Sequence, residues 1–293
     1  MKKGIVFEGG GMRGLYTGGV IDVLLENSVY ADYVIGVSAG ACNALNYLSG
    51  QLGRAASVNL DFLDDRRYLG LYCILRERSV FGMKFGFETV PNKLRPFDYD
   101  AFIYNPCQME TVITEAESGR AEYRPKEEIA RGDFSIPRAS SSLPIFSPPV
   151  NLGGRAYYDG GVADPIPVSR ALDCGCDRLL IVLTQPRGYV KKPQSGRLIY
   201  KTVLRKYPKT AEAIMHRHEV YNAELDLITK LEARGTALVL APSRATGVGR
   251  FERDRKKLKE LYELGRADAE ARLSQLRELF GLSVPEPLTT KES

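Results

Sequence analysis

The sequence predicts an α/β fold: a three-layer α/β/α sandwich around a mostly parallel central sheet. Three observations carry that expectation. The first fifty residues alternate short apolar runs with helix-spaced segments, as parallel strands joined by crossover helices do. Two later apolar runs, "DRLLIVLT" (177–184) and "ALVLAP" (237–242), have the length of buried strands, and a long helical stripe lies between them. No internal repeat and no clear linker divides the 293 residues, and 44% apolar with 26% charged residues is ordinary for a soluble globular chain.

Taken in order, Gly4–Phe7 reads as a buried strand that ends in the glycine loop "GGGMRG", Gly9–Gly14. Leu15, Val20, Val23 and Leu24 then keep helical spacing to a stop near Asn27. "YVIGV" (33–37) is a second buried strand, and "SAGACNALNYLSG" (38–50) a helix of small residues. Residues 51–110 lose the period. Nine of the 27 aromatics fall between Tyr68 and Tyr104 among Gly and Pro punctuation. The preferred reading is a loop-rich insertion packed on the core, and the functional alternative is an apolar wall for an acyl chain. Residues 120–168 are dense in Pro, Gly and Ser, which implies turns between short strands. Residues 207–234 form a long helix with the stripe Ile214, His218, Tyr221, Leu225, Ile228 and Leu231, stopped by Gly235. Residues 252–280 read as one charged amphipathic helix with Leu258, Leu261, Leu273 and Leu276 inward.

Composition narrows the function classes. The net charge of +5 permits contact with anionic surfaces without demanding nucleic acid. Basic residues cluster in 187–209 and 253–259. A solvated basic face is the preferred reading of them, and transient adhesion to an anionic membrane is the sharper one. Five scattered cysteines do not suggest a disulfide framework, and the Cys174-Gly175-Cys176 pair completes no zinc site. The N-terminus lacks the apolar run of a signal peptide, and no stretch approaches a membrane span. The expectation is a cytoplasmic protein, at most peripheral at the membrane.

The chemistry centres on "GVSAG", Gly36–Gly40. Such a G-x-S-x-G pentapeptide is either a glycine-rich turn with a helix-capping serine or a turn that presents Ser38 as a nucleophile. Its position between an apolar strand and a helix of small residues favours the nucleophile. Gly36 and Gly40 remove side chains that would crowd a sharp turn. "GGGMRG" fits a dinucleotide loop literally, but no acidic residue follows the second strand to hold a ribose. What the loop supplies is several backbone N–H groups at a helix start, a nest for phosphate or oxyanion.

A base for Ser38 is harder to find. The chain has two histidines, His216 and His218, which at i and i+2 cannot share a helix face. His218 lies on the apolar stripe and reads as a core residue, and His216 faces solvent. A Ser–His–Asp triad of the α/β-hydrolase kind also wants several strands ahead of the serine, and here there is one. Asp159 in "YYDGGVADPIPV" is a turn residue flanked by apolar sequence, and burial would raise its pKa and make it a better base. Asp164 is its rival, although Asp-Pro reads more as a turn.

"GGGMRG", "GVSAG" and "DGG", in that order, resemble the motifs of the patatin-like phospholipases. "ASSSLPIFSPPV" (139–150), "ADPIPV", "RPFDYDAF" (95–102) and the N-terminal "VFEGGGMRGLYTGGVIDVL" add to the likeness, which looks most like a bacterial branch and spans roughly residues 4–185. The resemblance implies a patatin-like sandwich and a Ser–Asp dyad without histidine. Ser38 matches the nucleophile, Asp159 the base, and Gly9, Gly10 and Gly11 the oxyanion loop. Arg13, Gly14, Gly36, Gly40, Gly160 and Gly161 complete the motifs. It implies a lipid acyl hydrolase that takes phospholipids or other carboxylic esters and needs no metal or cofactor. Acyl transfer by the same dyad, or a non-catalytic nucleotide- or phosphate-binding module, are the alternatives. The expected organisation is a catalytic domain over 1–245, a C-terminal amphipathic helix over 246–282 packed on it, and a flexible tail over 283–293.

Overall fold

The structure, a computed structural model, describes residues 1–282. The expected tail, 283–293, lies outside the described residues. Strand β1 (Lys3–Phe7) leads through the glycine loop into helix α1 (Gly14–Glu26), β2 (Tyr33–Val37) and α2 (Ala39–Leu48). Three short helices follow, α3 (Arg54–Leu60), α4 (Leu71–Glu77) and α5 (Tyr99–Tyr104), with a wide helical stretch at Phe85–Leu94 before α5. Next come β3 (Gln108–Glu115), β4 (Ala121–Pro125), α6 (Ser135–Ser140), β5 (Val150–Leu152), β6 (Arg155–Asp159) and α7 (Val168–Asp173). The chain ends with β7 (Arg178–Val182), α8 (Arg197–Val203), α9 (Pro208–Ala233), β8 (Ala237–Leu240), α10 (Arg255–Glu270) and α11 (Leu273–Leu279).

Strands β3-β2-β1-β7-β8 pair in parallel, and β4, β5 and β6 join by antiparallel pairing. Alternate strand residues feed two cores, because successive side chains point to opposite faces. Ile5, Phe7, Val34, Leu180 and Val182 pack with residues of α1, α2 and α10. Val6, Ile35, Val37, Leu179 and Ile181 pack with α7 and α9. The sheet is thus covered on both faces, the arrangement that parallel strands require.

α1 is buried all round from Gly14 to Leu24 because α10 lies across its outer side. The two backbones touch. A Cβ on Gly265 would sit 2.0 Å from the Tyr16 carbonyl oxygen, and one on Gly19 would sit 2.1 Å from that of Tyr262. Arg266 on α10 pairs with Glu26 on α1 at 2.8 Å.

Strand β3 decides where the site lies. It runs parallel to β2 over residues 108–112, and antiparallel to β4 over 110–114 and to β6 over 113–115. A strand has two edges, and the β4 and β6 pairings overlap. β4 therefore takes one edge, and β2 and β6 share the other, end to end. Val37 closes β2 opposite Val112, and Asp159 closes β6 opposite Ile113. Consistent with this meeting of ends, a Cβ on Gly161 would lie 3.7 Å from Val37 Cγ2.

Three features differ from the sequence reading. β3 is a full strand where no strand is expected. Its Gln, Glu and Thr residues break the apolar run, yet several of them tie neighbours in place: Glu110 holds Arg170 and Tyr33, and Thr114 holds the Asp159 carbonyl. The irregular insertion contains short helices. The single C-terminal helix is two, broken at Ala271–Arg272, because α10 follows α1 while α11 turns onto β7 and β8. Leu276 is buried but Leu273 is only half-buried. Among the described residues no helix is long and apolar enough to cross a membrane.

Candidate active site

Ser38 stands at the point where β2 becomes α2. Its φ of 57° and ψ of −124° are unusual for a residue with a side chain, and such a conformation costs about 1–3 kcal/mol. The surroundings hold it there. The Ser140 Oγ accepts the Ser38 N–H at 2.8 Å and donates to the Val112 carbonyl at 2.6 Å. Gly36 and Gly40 let the turn close, since a Cβ on Gly36 would lie 2.4 Å from the Gly40 carbonyl oxygen.

Asp159 ends β6 beside this turn and is 2% exposed. Its N–H donates to the Ser142 carbonyl at 2.9 Å, and its Oδ1 accepts the Gly161 N–H at 2.8 Å. Oδ2 is buried and has no hydrogen-bond partner among the described residues. Burial raises the Asp159 pKa above the usual carboxylate range, and the nearby Ser38 hydroxyl and then the Arg217 guanidinium oppose the rise. The hydroxyl is thus close enough to act on the carboxyl, while no closed hydrogen bond joins the two. Gly160 is forced by contact, because a Cβ there would meet the Val112 carbonyl oxygen at 2.2 Å.

The glycine loop runs past the same point. A Cβ on Gly9 would lie 3.0 Å from the Ser38 Cβ. Neighbouring N–H groups are committed: Glu8 donates to Val182, Met12 to the Arg250 carbonyl, and Arg13 to Gly10. Those of Gly9, Gly10 and Gly11 have no acceptor among the described residues. Gly11 needs its left-handed φ of +58°, and a Cβ there would strike the Arg250 carbonyl oxygen at 2.6 Å. Gly14 brings the start of α1 against Ala39, where a Cβ would lie 2.8 Å from the Ala39 Cβ.

Ser38 lies between two cavities. One, of about 170 Å³, is mostly apolar, with walls that include Met12, Tyr68, Phe81, Met83, Phe87, Val90, Phe97 and Phe134. The aromatic insertion supplies most of that wall. The other, of about 220 Å³, is polar and lined by Gly9–Gly11, Asp159, Glu8, Arg13, Lys191, Arg217, Tyr221 and Arg250. Ser38 and Gly11 border both.

Neither histidine lines either cavity. His216 is exposed beside Glu219, and His218, partly buried where a core position is expected, bonds the Met215 carbonyl of its own helix. The residue between them, Arg217, is the one that reaches the site. Asp164 lines neither cavity and is buried next to the site, held by Tyr123 at 2.8 Å. Lys191, Arg217 and Arg250 have no motif to mark them, and Glu8 lies in the N-terminal stretch of the likeness without a role assigned to it. Lys191 belongs to a basic cluster read as a solvated face. Glu8 is fixed by the Thr184 N–H and the Tyr221 hydroxyl, so it braces the loop. Among the described residues no group of His, Cys, Asp and Glu is arranged to hold a metal ion.

A sequence model of the patatin-like phospholipases matches residues 5–172, more than half of the chain and all of the motifs described above. The chain belongs to the patatin-like phospholipase family. A second match, over residues 207–281, is to a family known only as a domain of unknown function, DUF6363. Among curated proteins this patatin-like chain is similar to the uncharacterized protein YjjU of Escherichia coli strain K12. Identity is 28% over 203 residues, which cover 65% of the chain and 54% of that relative, so the chain matches about half of the relative's length. Among solved structures it is similar to VipD from Legionella pneumophila, with a TM-score of 0.51 at 13% identity, over 94% of this chain and 67% of that one. That likeness places the mostly parallel sheet and its flanking helices in the patatin-like fold.

One buried carboxyl beside the site sets a pH dependence of stability. Glu224 on α9 accepts the Ile166 N–H at 3.0 Å and adjoins Asp164. Burial, reinforced by Asp164, raises its pKa well above that of an ordinary Glu. The folded state then holds a proton that the unfolded state releases above the ordinary Glu pKa, so stability falls as pH rises across that window. Glu224→Gln is expected to flatten the fall and to raise Tm at pH 8 by roughly 2–4 °C, the shift per kcal/mol for a chain near this size. A thermal melt series from pH 5 to pH 9 with parallel wild-type and variant curves would refute it.

Proposed function

We propose that the protein is a serine-dependent lipid acyl hydrolase, a carboxylic-ester hydrolase of the phospholipase A kind, working through a Ser–Asp dyad and an acyl-enzyme. The observation that carries the reading is the placement of Ser38, on a strained strand-to-helix turn between an apolar and a polar cavity, with the unpartnered Asp159 oxygen beside it. Asp159 accepts the proton as the Ser38 Oγ attacks the ester carbonyl. The N–H groups of Gly9, Gly10 and Gly11 receive the negative charge on the tetrahedral oxygen. One such donor is worth roughly 3–4 kcal/mol in comparable sites. The tetrahedral species expels the alcohol, which takes the proton from Asp159, and leaves the acyl group on Ser38. Water, deprotonated by Asp159, then releases the acid and restores the serine.

Two features support a lipid substrate. The apolar cavity ends at Ser38 and suits an acyl chain. Near the polar cavity, α8 exposes Leu198, Ile199 and Val203, at 79%, 59% and 54%, within the basic 187–209 segment. That mixture of apolar and cationic side chains fits peripheral contact with an anionic lipid surface better than a purely solvated basic face. A fluorophosphonate probe tests the central claim. Mass spectrometry is expected to find the adduct on Ser38, and labelling is expected to be blocked by prior incubation with an acyl ester. Absence of the Ser38 adduct in protein that melts cooperatively would remove the proposal.

A further inference from the structure

With the acyl chain in the apolar cavity, the alcohol half of the ester must lie on the other side of Ser38, in the polar one. That cavity carries four cationic side chains, Arg13, Lys191, Arg217 and Arg250. None of them forms a salt bridge among the described residues. The Nε atoms of Arg13 and Arg217 are buried without any hydrogen-bond partner among those residues. Two carboxylates share the space: Glu8, committed to Thr184 and Tyr221, and Asp159. Four basic side chains against two carboxylates leave an excess of positive charge in a partly enclosed space. Half-buried cations without a carboxylate partner are costly, although Lys191 also lies over the Tyr221 ring, and such charges gathered in a cleft mark a candidate binding site.

We propose that the polar cavity is a subsite for a phosphate monoester carried on the alcohol half of the substrate, so that the preferred ester is an acylglycerol phosphate. This rests on the hydrolase reading above. A phosphomonoester carries nearly two negative charges at neutral pH and three acceptor oxygens, which match the uncompensated charge and the guanidinium donors. A choline or ethanolamine headgroup would add a cation to a chamber that already has an excess of them. Lys191 feels the same excess of positive charge: its pKa is pushed down to about 7 by burial and then by Arg217 and Arg250.

The test uses the Ser38→Ala protein, which binds without turning over, and short-chain lipids below their micelle concentrations. In calorimetry, octanoylglycerol phosphate is expected to bind roughly 30-fold more tightly than octanoylglycerol, and more tightly than octanoyl-glycerophosphocholine, as loss of one or two charge-assisted hydrogen bonds implies. Adding Arg250→Gln or Lys191→Gln is expected to cut the phosphate preference roughly tenfold. Arg250→Gln is the better probe because the loop is held by the Arg250 carbonyl, which the change keeps. Inorganic phosphate is expected to compete, but weakly. Equal binding of the three lipids overturns the proposal, as does a stronger grip on the choline lipid. So does inorganic phosphate that binds as tightly as the lipid, since the pocket would then serve a free anion. A flat ranking in protein whose wild type labels at Ser38 removes the subsite and leaves the hydrolase. A preserved ranking in protein whose wild type does not label does the reverse.

Discussion

Hydrolysis of a p-nitrophenyl acyl ester is expected to fall roughly 10⁴–10⁶-fold in Ser38→Ala and in Asp159→Asn, the range seen when a member of a nucleophile–base pair is removed. The double change His216→Ala with His218→Ala is expected to keep the rate within about twofold, as substitutions away from the chemistry do. Asp159→Asn is nearly isosteric and can still accept the Gly161 N–H, so its loss would report the missing base and not a collapsed turn. The pH profile adds an independent sign. The base must be ionised, and burial holds the Asp159 pKa above the ordinary carboxylate range. Activity should therefore fall as pH drops through that raised value, at a higher pH than a solvent-exposed Asp would give. Rapid turnover by Asp159→Asn, together with loss in the double histidine variant, would transfer the base role to histidine.

The second large effect concerns a residue without a functional group. Gly40→Ala is expected to cut hydrolysis about 10²-fold or more and to lower Tm, although it adds a single methyl group. A Cβ at Gly40 would lie 2.2 Å from the Phe7 carbonyl oxygen and 2.8 Å from that of Glu8. Both obstacles are backbone, so nothing can swing aside, and α2 must move away from β1. Overpacking of this kind costs about 1–3 kcal/mol or more. The same displacement would separate Ser38 from the Gly9–Gly11 N–H groups, and a misplacement near 1 Å is enough to cost about 10² in rate. Tm and the rate of fluorophosphonate labelling read the two consequences separately. A variant that labels at the wild-type rate would show that the contact is not needed.

How far the sequence carried these conclusions depends on the range of each signal. The opening strand–loop–helix and strand–turn–helix units, strands β7 and β8, and the long helix α9 were legible, because a buried strand or an amphipathic stripe is written in adjacent residues. The mostly parallel sheet and the family followed from them and from the ordered motifs. β3 was not legible. Its Thr114 and Glu110 bond other elements, so its polar residues disguise a strand buried in the middle of the sheet. The abutment of β2 and β6 on one edge of β3 is a matter of register between segments about 120 residues apart, which no local pattern records. Arg217 carries no local signal for a related reason. Residue type singles out its two histidine neighbours, whereas position on the α9 surface decides which side chain lines the cavity with Asp159. Arg250 and Lys191 sat in or beside basic runs whose commonest fate is solvent.

The Arg250 carbonyl has a bearing on what counts as the minimal unit. It receives the Met12 N–H and presses on Gly11, so the loop beside Ser38 is buttressed by a residue 78 positions beyond the last one matched by the patatin-like family model. A chain cut back to the motif-bearing region would keep every signature residue and lose that buttress. On the proposed mechanism its N–H groups would then have to be organised anew at each encounter with substrate, and the downstream quarter of the polypeptide would serve as an intramolecular cofactor for the motifs upstream.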